Sequence, residues 1–139
     1  MQKGFTLLEV MVVLFILVTV AALAVGAYQG QLAQAKRQSA VVYIKGLASA
    51  IELFELNIGR PPTSDEGLNA LIAAPGDLSN PAKWSGPYIK ETVQTNDPWG
   101  NSYQYVCPSA RGKGNYDVWS WGPDGINETD DDIGQWTND

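Results

Sequence analysis

Gly4-Phe5-Thr6-Leu7-Leu8-Glu9-Val10 is the stretch from which the rest of the chain is read. A short leader, Met1 to Gly4, runs directly into an apolar segment that carries a single carboxylate, Glu9, near its start. From Phe5 to Tyr28 nearly every other residue is Phe, Leu, Val, Ile, Met or Ala, with Thr6, Thr19 and Gly26 as the interruptions. That length suits the ~20 residues a helix needs to cross a ~30 Å hydrocarbon core. Val10 to Val25 is apolar on every face, which does not fit an amphipathic surface helix. A cleaved secretory signal is the competing reading. The apolar run exceeds the usual ~7–15-residue core of such a signal, however, and no clear small-x-small cleavage site follows. A membrane helix over residues 5–28 is therefore preferred, and a carboxylate inside it calls for a partner.

Beyond Tyr28 the helical pattern continues but changes character. Val41, Ile44, Leu47 with Ala48, Ile51 and Phe54 recur at helical spacing, and Lys36, Arg37, Gln38, Lys45 and Glu52 fall mostly between them. An all-apolar half thus passes into an amphipathic half, predicting one helix of about 50 residues and ~75–80 Å. The amphipathic half must bury its stripe against the C-terminal part of the chain. Gly26 and Gly30 sit at the junction, where a bend or local loosening is expected. Asn57-Ile58-Gly59 ends the helix and Arg60-Pro61-Pro62 prevents its resumption.

Thr63 or Ser64 offers an N-cap for a short helix from Glu66 to Ala73, closed by Pro75-Gly76. Asp77 to Gly86 reads as loop with Trp84 as an anchor onto the core, and Pro87 to Lys90 as a brief extended piece. Asp97-Pro98-Trp99-Gly100-Asn101 is a turn cluster. Alternation in Ser102 to Cys107 and in Tyr116 to Trp121, around the turn Ala110 to Asn115, predicts a hairpin. The expected fold class is α+β, a long N-terminal helix packed on a small antiparallel sheet.

Composition narrows the function. The net charge of −6 argues against nucleic-acid binding through a basic surface. The absence of histidine excludes imidazole-based zinc sites and Ser-His or Cys-His catalysis. The single cysteine, Cys107, cannot form an internal disulfide and reads as a small buried side chain. Trp99, Trp119, Trp121 and Trp136 near carboxylates leave a sugar-binding or glycosidase-like reading open, although an aromatic core for a small sheet explains them more simply.

The last turn region, Gly122 to Ile133, gathers five carboxylates: Asp124, Glu128, Asp130, Asp131 and Asp132. No Lys or Arg lies beyond Lys113 to neutralise them. Clustered carboxylates repel unless a cation or solvent screens them, and hard oxygen donors with Gly and Asn for turning suit Ca²⁺. The spacing is not that of an EF-hand, and a solvated acidic tail is the alternative.

Gly4-Phe5-Thr6-Leu7-Leu8-Glu9 resembles the processing site of type IV pilin-like proteins. The resemblance implies cleavage by a prepilin peptidase between Gly4 and Phe5, N-methylation of Phe5, and a role for Glu9 in neutralising the terminal amine of a neighbouring subunit during filament assembly. Arg60-Pro61-Pro62-Thr63 through Glu66-Gly67-Leu68, then Gly86-Pro87-Tyr88-Ile89, Asp97-Pro98-Trp99-Gly100 and Gly122-Pro123-Asp124-Gly125, resemble in order the major pseudopilins of type II secretion systems. That likeness implies a non-enzymatic subunit of a helical pseudopilus that drives export of folded proteins across the outer membrane. It also implies a leader at 1–4, an assembly helix at 5–28 and a periplasmic domain at 29–139, held in the inner membrane by a single pass. The charges themselves are ambivalent, because Lys3 is a weak inside signal and Lys36 and Arg37 lie beyond the helix.

The partners so implied are further copies of the chain, minor pseudopilins, the inner-membrane assembly platform and the prepilin peptidase. Calcium is implied as well, held by Asp124, Asp131 and Asp132 with the backbone carbonyls of Trp121 and Thr129. Two features depart from the family pattern. Gly26 stands where the family usually has proline, so a softer helix break is expected, and the leader has a single Lys. A type IV pilin for adhesion, twitching or DNA uptake is the alternative within the superfamily, but those usually close the C-terminal loop with a cysteine pair.

Overall fold

A computed structural model describes residues 4–90 and 96–137, so Met1 to Lys3 of the leader lie outside the described residues. Helix α1 spans Leu7–Ile58. The helix passes through Gly26 and Gly30 without interruption. Compactness divides the chain between Ala35 and Lys36 into two units.

The first unit is helix and little else. Apolar side chains from Phe5 to Val25 are exposed around the whole circumference. The most apolar 18-residue window of α1 has a mean hydropathy of 2.9, and none of it is buried. Such a surface is stable only in lipid or against other apolar surfaces.

In the second unit the amphipathic stripe is buried as expected. Ala40, Val41, Ile44, Leu47, Ala50, Ile51 and Phe54 form one wall of the core, and Leu71, Tyr103, Tyr116, Val118 and Ile133 form the other. Tyr43 stacks on Tyr103 with ring centroids 4.7 Å apart, and the Tyr116 hydroxyl donates to the Ala48 carbonyl of the helix at 3.3 Å. Gly59, at φ +92°, supplies the left-handed residue that ends α1.

The expected hairpin is present but shorter than its alternation suggested. Strand β1 covers Gln104–Val106 and β2 covers Asp117–Ser120, paired antiparallel with Tyr105 opposite Val118. Ser102 pairs only in an isolated bridge to Asn96, and Pro108 ends β1 because it has no N–H to continue a ladder. Cys107 lies just past β1 and is half-buried, a correction to the buried reading; its sulfur meets the Asn115 carbonyl at 3.5 Å. A third strand, β3 (Ile133–Gly134), pairs antiparallel with the far side of β2 and was not expected. It returns the chain to the sheet after the acidic loop.

The short helix is also corrected. It is a 3-10 turn, Gly67–Leu71, rather than an α-helix to Ala73. Pro75 has no N–H to bond the Leu71 carbonyl, which instead accepts Tyr88 N–H at 2.8 Å. Neither candidate caps Gly67–Leu71, whose N-cap is Glu66 with no side-chain cap bond. Thr63 instead closes the turn before it, its hydroxyl accepting Glu66 N–H at 3.2 Å while the Glu66 carboxylate accepts Thr63 N–H at 2.6 Å. Ser64 is diverted to Cys107, accepting its N–H and donating to its carbonyl. Trp84 anchors the following loop as expected, donating to the Ala70 carbonyl at 3.0 Å.

Arg60 grips Glu66 with its two terminal guanidinium nitrogens, each at 2.7 Å, and this hydrogen-bonded pairing, with the Thr63 N–H, holds the Glu66 carboxyl down to about 2. A carboxyl lowered on folding stabilises the fold above its unfolded value near 4.5, and that contribution is lost as pH falls from 4.5 toward 2. With Arg60 partly exposed, the contribution is on the order of 2 kcal/mol. Urea unfolding of Glu66→Gln should therefore be less stable than wild type at pH 7, with the gap closing toward pH 2. A gap that stays constant over that range contradicts the assignment.

Candidate functional site

Two regions carry the candidate residues, one in each unit. In the first, Gly4 and Phe5 precede the helix and are exposed. The Thr6 hydroxyl and carbonyl accept the Glu9 N–H at 3.3 and 3.1 Å, and the carbonyl accepts Val10 N–H at 3.3 Å. Thr6 thus caps α1 and fixes where helical structure begins, two residues after Phe5. Glu9 falls in the first turn, at the positive end of the helix dipole, with its side chain exposed. It is the only charged residue between Lys3 and Lys36.

The second region is the loop between β2 and β3. Its entrance is fixed by Asp97, buried at the Asp-Pro-Trp-Gly-Asn turn. One Asp97 oxygen accepts the N–H groups of Trp99 and Asn101 at 3.0 and 2.9 Å, and the other accepts the Ser120 hydroxyl at 2.5 Å. Ser120 Oγ in turn accepts Gly122 N–H at 3.0 Å. Gly122, at φ +73°, is where the two sides of the loop approach: a Cβ there would collide with the Asp131 carbonyl and lie 3.0 Å from its carboxylate.

The structure brings Asp124 and Asp131 together and turns Asp132 elsewhere. Asp131 Oδ2 accepts Asp124 N–H at 3.2 Å, and its Oδ1 accepts the Thr129 hydroxyl at 2.6 Å. These bonds, the Thr129 hydroxyl first, lower the Asp131 carboxyl below the usual range. Asp124 Oδ1 accepts Ile126 N–H at 2.8 Å. Thr129 engages through its side chain as well as its carbonyl, which accepts Asp132 N–H at 3.3 Å.

Asp132 is buried, and its Oδ2 accepts the N–H of Glu128, itself held at φ +66°. Arg111 Nη2 stands 3.6 Å from the same oxygen, whereas Oδ1 is buried with no hydrogen-bond partner. Among the described residues, no three acidic or thiol side chains are gathered closely enough to enclose a metal ion. The donor chemistry nonetheless fits a hard cation: every candidate donor is oxygen, and one carboxylate oxygen is orphaned. The indole N–H of Trp121 is likewise buried without a partner.

Sequence reasoning missed three residues that shape this region. Asp97 was read only as part of a turn. Asp117, 1 % exposed, accepts the Ser109 hydroxyl at 2.7 Å and the N–H groups of Ala110 and Arg111 at 2.8 and 3.0 Å. Arg111, so positioned, lies 4.0 Å over the Trp136 ring. An acid within a strand, seven or so residues after a Ser-Ala-Arg turn, is the only signal that could have marked Asp117.

The N-terminal motif and the loop occur together in a known family. The prokaryotic N-terminal methylation motif matches residues 1–25, and the model for type II secretion system protein G matches residues 27–136. The chain belongs to the type II secretion system protein G family. Among its relatives, the type II secretion system core protein G of Aeromonas hydrophila is 45% identical over 136 residues, covering 97% of this chain and 92% of that protein. The core protein G of Dickeya chrysanthemi is 44% identical over 136 residues, covering 97% and 86%. The crystal structure of the major pseudopilin from the type 2 secretion system of enterohaemorrhagic Escherichia coli superposes with a TM-score of 0.66 at 34% identity, covering 79% of this chain and 94% of that one. The resemblance read from the sequence is therefore borne out, and so is the fold. As a protein G family member the chain is a pseudopilin, a structural subunit of the pseudopilus, with a membrane-anchoring apolar helix and a site for prepilin peptidase processing.

Proposed function

We propose that the chain is cut between Gly4 and Phe5, methylated on the Phe5 amine, and drawn from the inner membrane into a homopolymeric pseudopilus that drives export of folded proteins across the outer membrane. Before assembly residues 5–28 span the inner membrane once, and the domain from residue 29 onward lies in the periplasm. Minor pseudopilins and an inner-membrane platform are the partners, and the chain itself performs no catalysis. The observation that carries this reading is the apolar helix surface exposed on all sides, with Glu9 as its only charge. A helix that must leave lipid needs another apolar surface, and identical helices supply one. The Glu9 carboxylate then meets the Phe5 amine of a neighbour and sets the register. Loss of export on removing that carboxylate is the direct test.

We propose further that the C-terminal loop takes Ca²⁺. Asp124, Asp131 and Asp132 would hold it with the carbonyls of Trp121 and Thr129. Bound there, the ion supplies charge neutralisation and a cross-link between the two sides of the loop. The orphaned Asp132 oxygen and the close approach at Gly122 support this reading. Full-length protein in detergent should melt several degrees higher in calcium than in chelator, and Asp131→Ala should lose most of that difference. Equal melting of wild type in both buffers refutes a structural ion.

A further inference from the structure

We propose that Arg111 is a resident counter-cation of the acidic loop, holding it folded without Ca²⁺ and weakening the affinity with which the ion is taken up. This rests on the calcium reading above and adds to it the residue that sets the strength of binding. Asp132 is the loop carboxylate withdrawn furthest from solvent, its side chain 4 % exposed. A buried carboxylate is costly unless a positive group or donors compensate it. Here the compensation is the Glu128 N–H at 2.9 Å and the Arg111 guanidinium at 3.6 Å, both on Oδ2. Arg111 is a cation that the structure sets beside a loop carboxylate.

Arg111 is held where it can act. Its N–H donates to buried Asp117, and its guanidinium carbon sits over Trp136, 4.0 Å from the ring centre. Trp136 packs in turn on Gly134 of β3, where a Cβ would overlap the indole at 2.5 Å. The arginine therefore ties the turn after β1 to the end of the acidic loop. A divalent ion bound to Asp132 and a guanidinium beside the same carboxylate repel each other, so each weakens the other. That antagonism is a coupling between two cations, and it acts equally in both directions.

The test uses full-length protein in detergent, with melting temperature read in chelator and across a calcium titration. Arg111→Met, which keeps the stem that covers Trp136, should melt lower than wild type in chelator. Its calcium-induced rise should be larger, and its calcium dissociation constant roughly tenfold lower, equivalent to ~1.4 kcal/mol of coupling. Arg111→Lys retains the charge and should bind calcium about as wild type does, separating charge from packing. A calcium-induced rise in Arg111→Met equal to or smaller than the wild-type rise overturns the proposal while leaving the calcium site standing. No rise in wild type at all removes the calcium reading and this proposal together.

Discussion

Replacing Glu9 by Ala is expected to abolish export while leaving the protein in the membrane. The apolar segment around Glu9 supplies the affinity for lipid, and removing its one charge can only strengthen partition into the bilayer. The head would be untouched, because Glu9 belongs to the unit before Ala35 and the buried core begins at Ala40. On the proposed assembly, what the variant would lose is the pairing of this carboxylate with the Phe5 amine of a neighbouring subunit. In a low-dielectric setting a mispaired charge costs several kcal/mol per subunit, and each subunit added to a filament would meet that cost again. The measurement is export of a folded substrate into the medium, with membrane fractionation as the control. Glu9→Asp, which keeps the charge on a shorter arm, should recover part of the activity. Export at the wild-type level by Glu9→Ala would sink the register role.

The second large effect is expected in the head. Asp117→Ala should cost roughly 3 kcal/mol, because it removes a buried carboxylate that accepts from the half-buried Ser109 hydroxyl and from the Ala110 and Arg111 N–H groups of the turn. For a domain of this size that is a fall in melting temperature on the order of 15 °C. Asp117→Asn keeps one acceptor oxygen and should lose less. The turn after β1 would loosen, and with it the placement of Arg111 against Trp136. Thermal melting by circular dichroism reads the first effect, and tryptophan fluorescence the second. A melting temperature for Asp117→Ala within about 3 °C of wild type would show that the turn is held by other contacts.

How far the sequence reached depends on what each feature is made of. Helix α1 was legible because its signal is long: the apolar segment and the 3.6-residue stripe from Ala40 to Phe54 span most of it. The hairpin was legible from alternation, but its ends were not, since Pro108 and the Asn96 bridge decide where pairing stops. β3 was invisible because two residues carry no periodicity; Ile133 and Gly134 become a strand only because β2 presents an unpaired edge beside them. The 3-10 turn at Gly67 was misread as α-helix because its length depends on a carbonyl taken by Tyr88, far away in sequence. In the loop, the acids were visible as a group, but their separate fates were not. Asp124 and Asp131 meet through Gly122, whereas Asp132 turns to Arg111, and both outcomes follow from tertiary contacts.

β3 has one more consequence. Because Ser120 pairs with Ile133 and Trp119 with Gly134, the acidic loop leaves and re-enters the sheet at adjacent points on neighbouring strands. The entropy of bringing its ends together is met by backbone pairing, before any ligand arrives. A cation entering such a loop has only to orient side chains, and whatever it contributes is free to appear as rigidity of the whole C-terminal segment. The same geometry joins the loop to the core: its two ends are the strand residues that flank Val118 and carry Ile133, both fully buried.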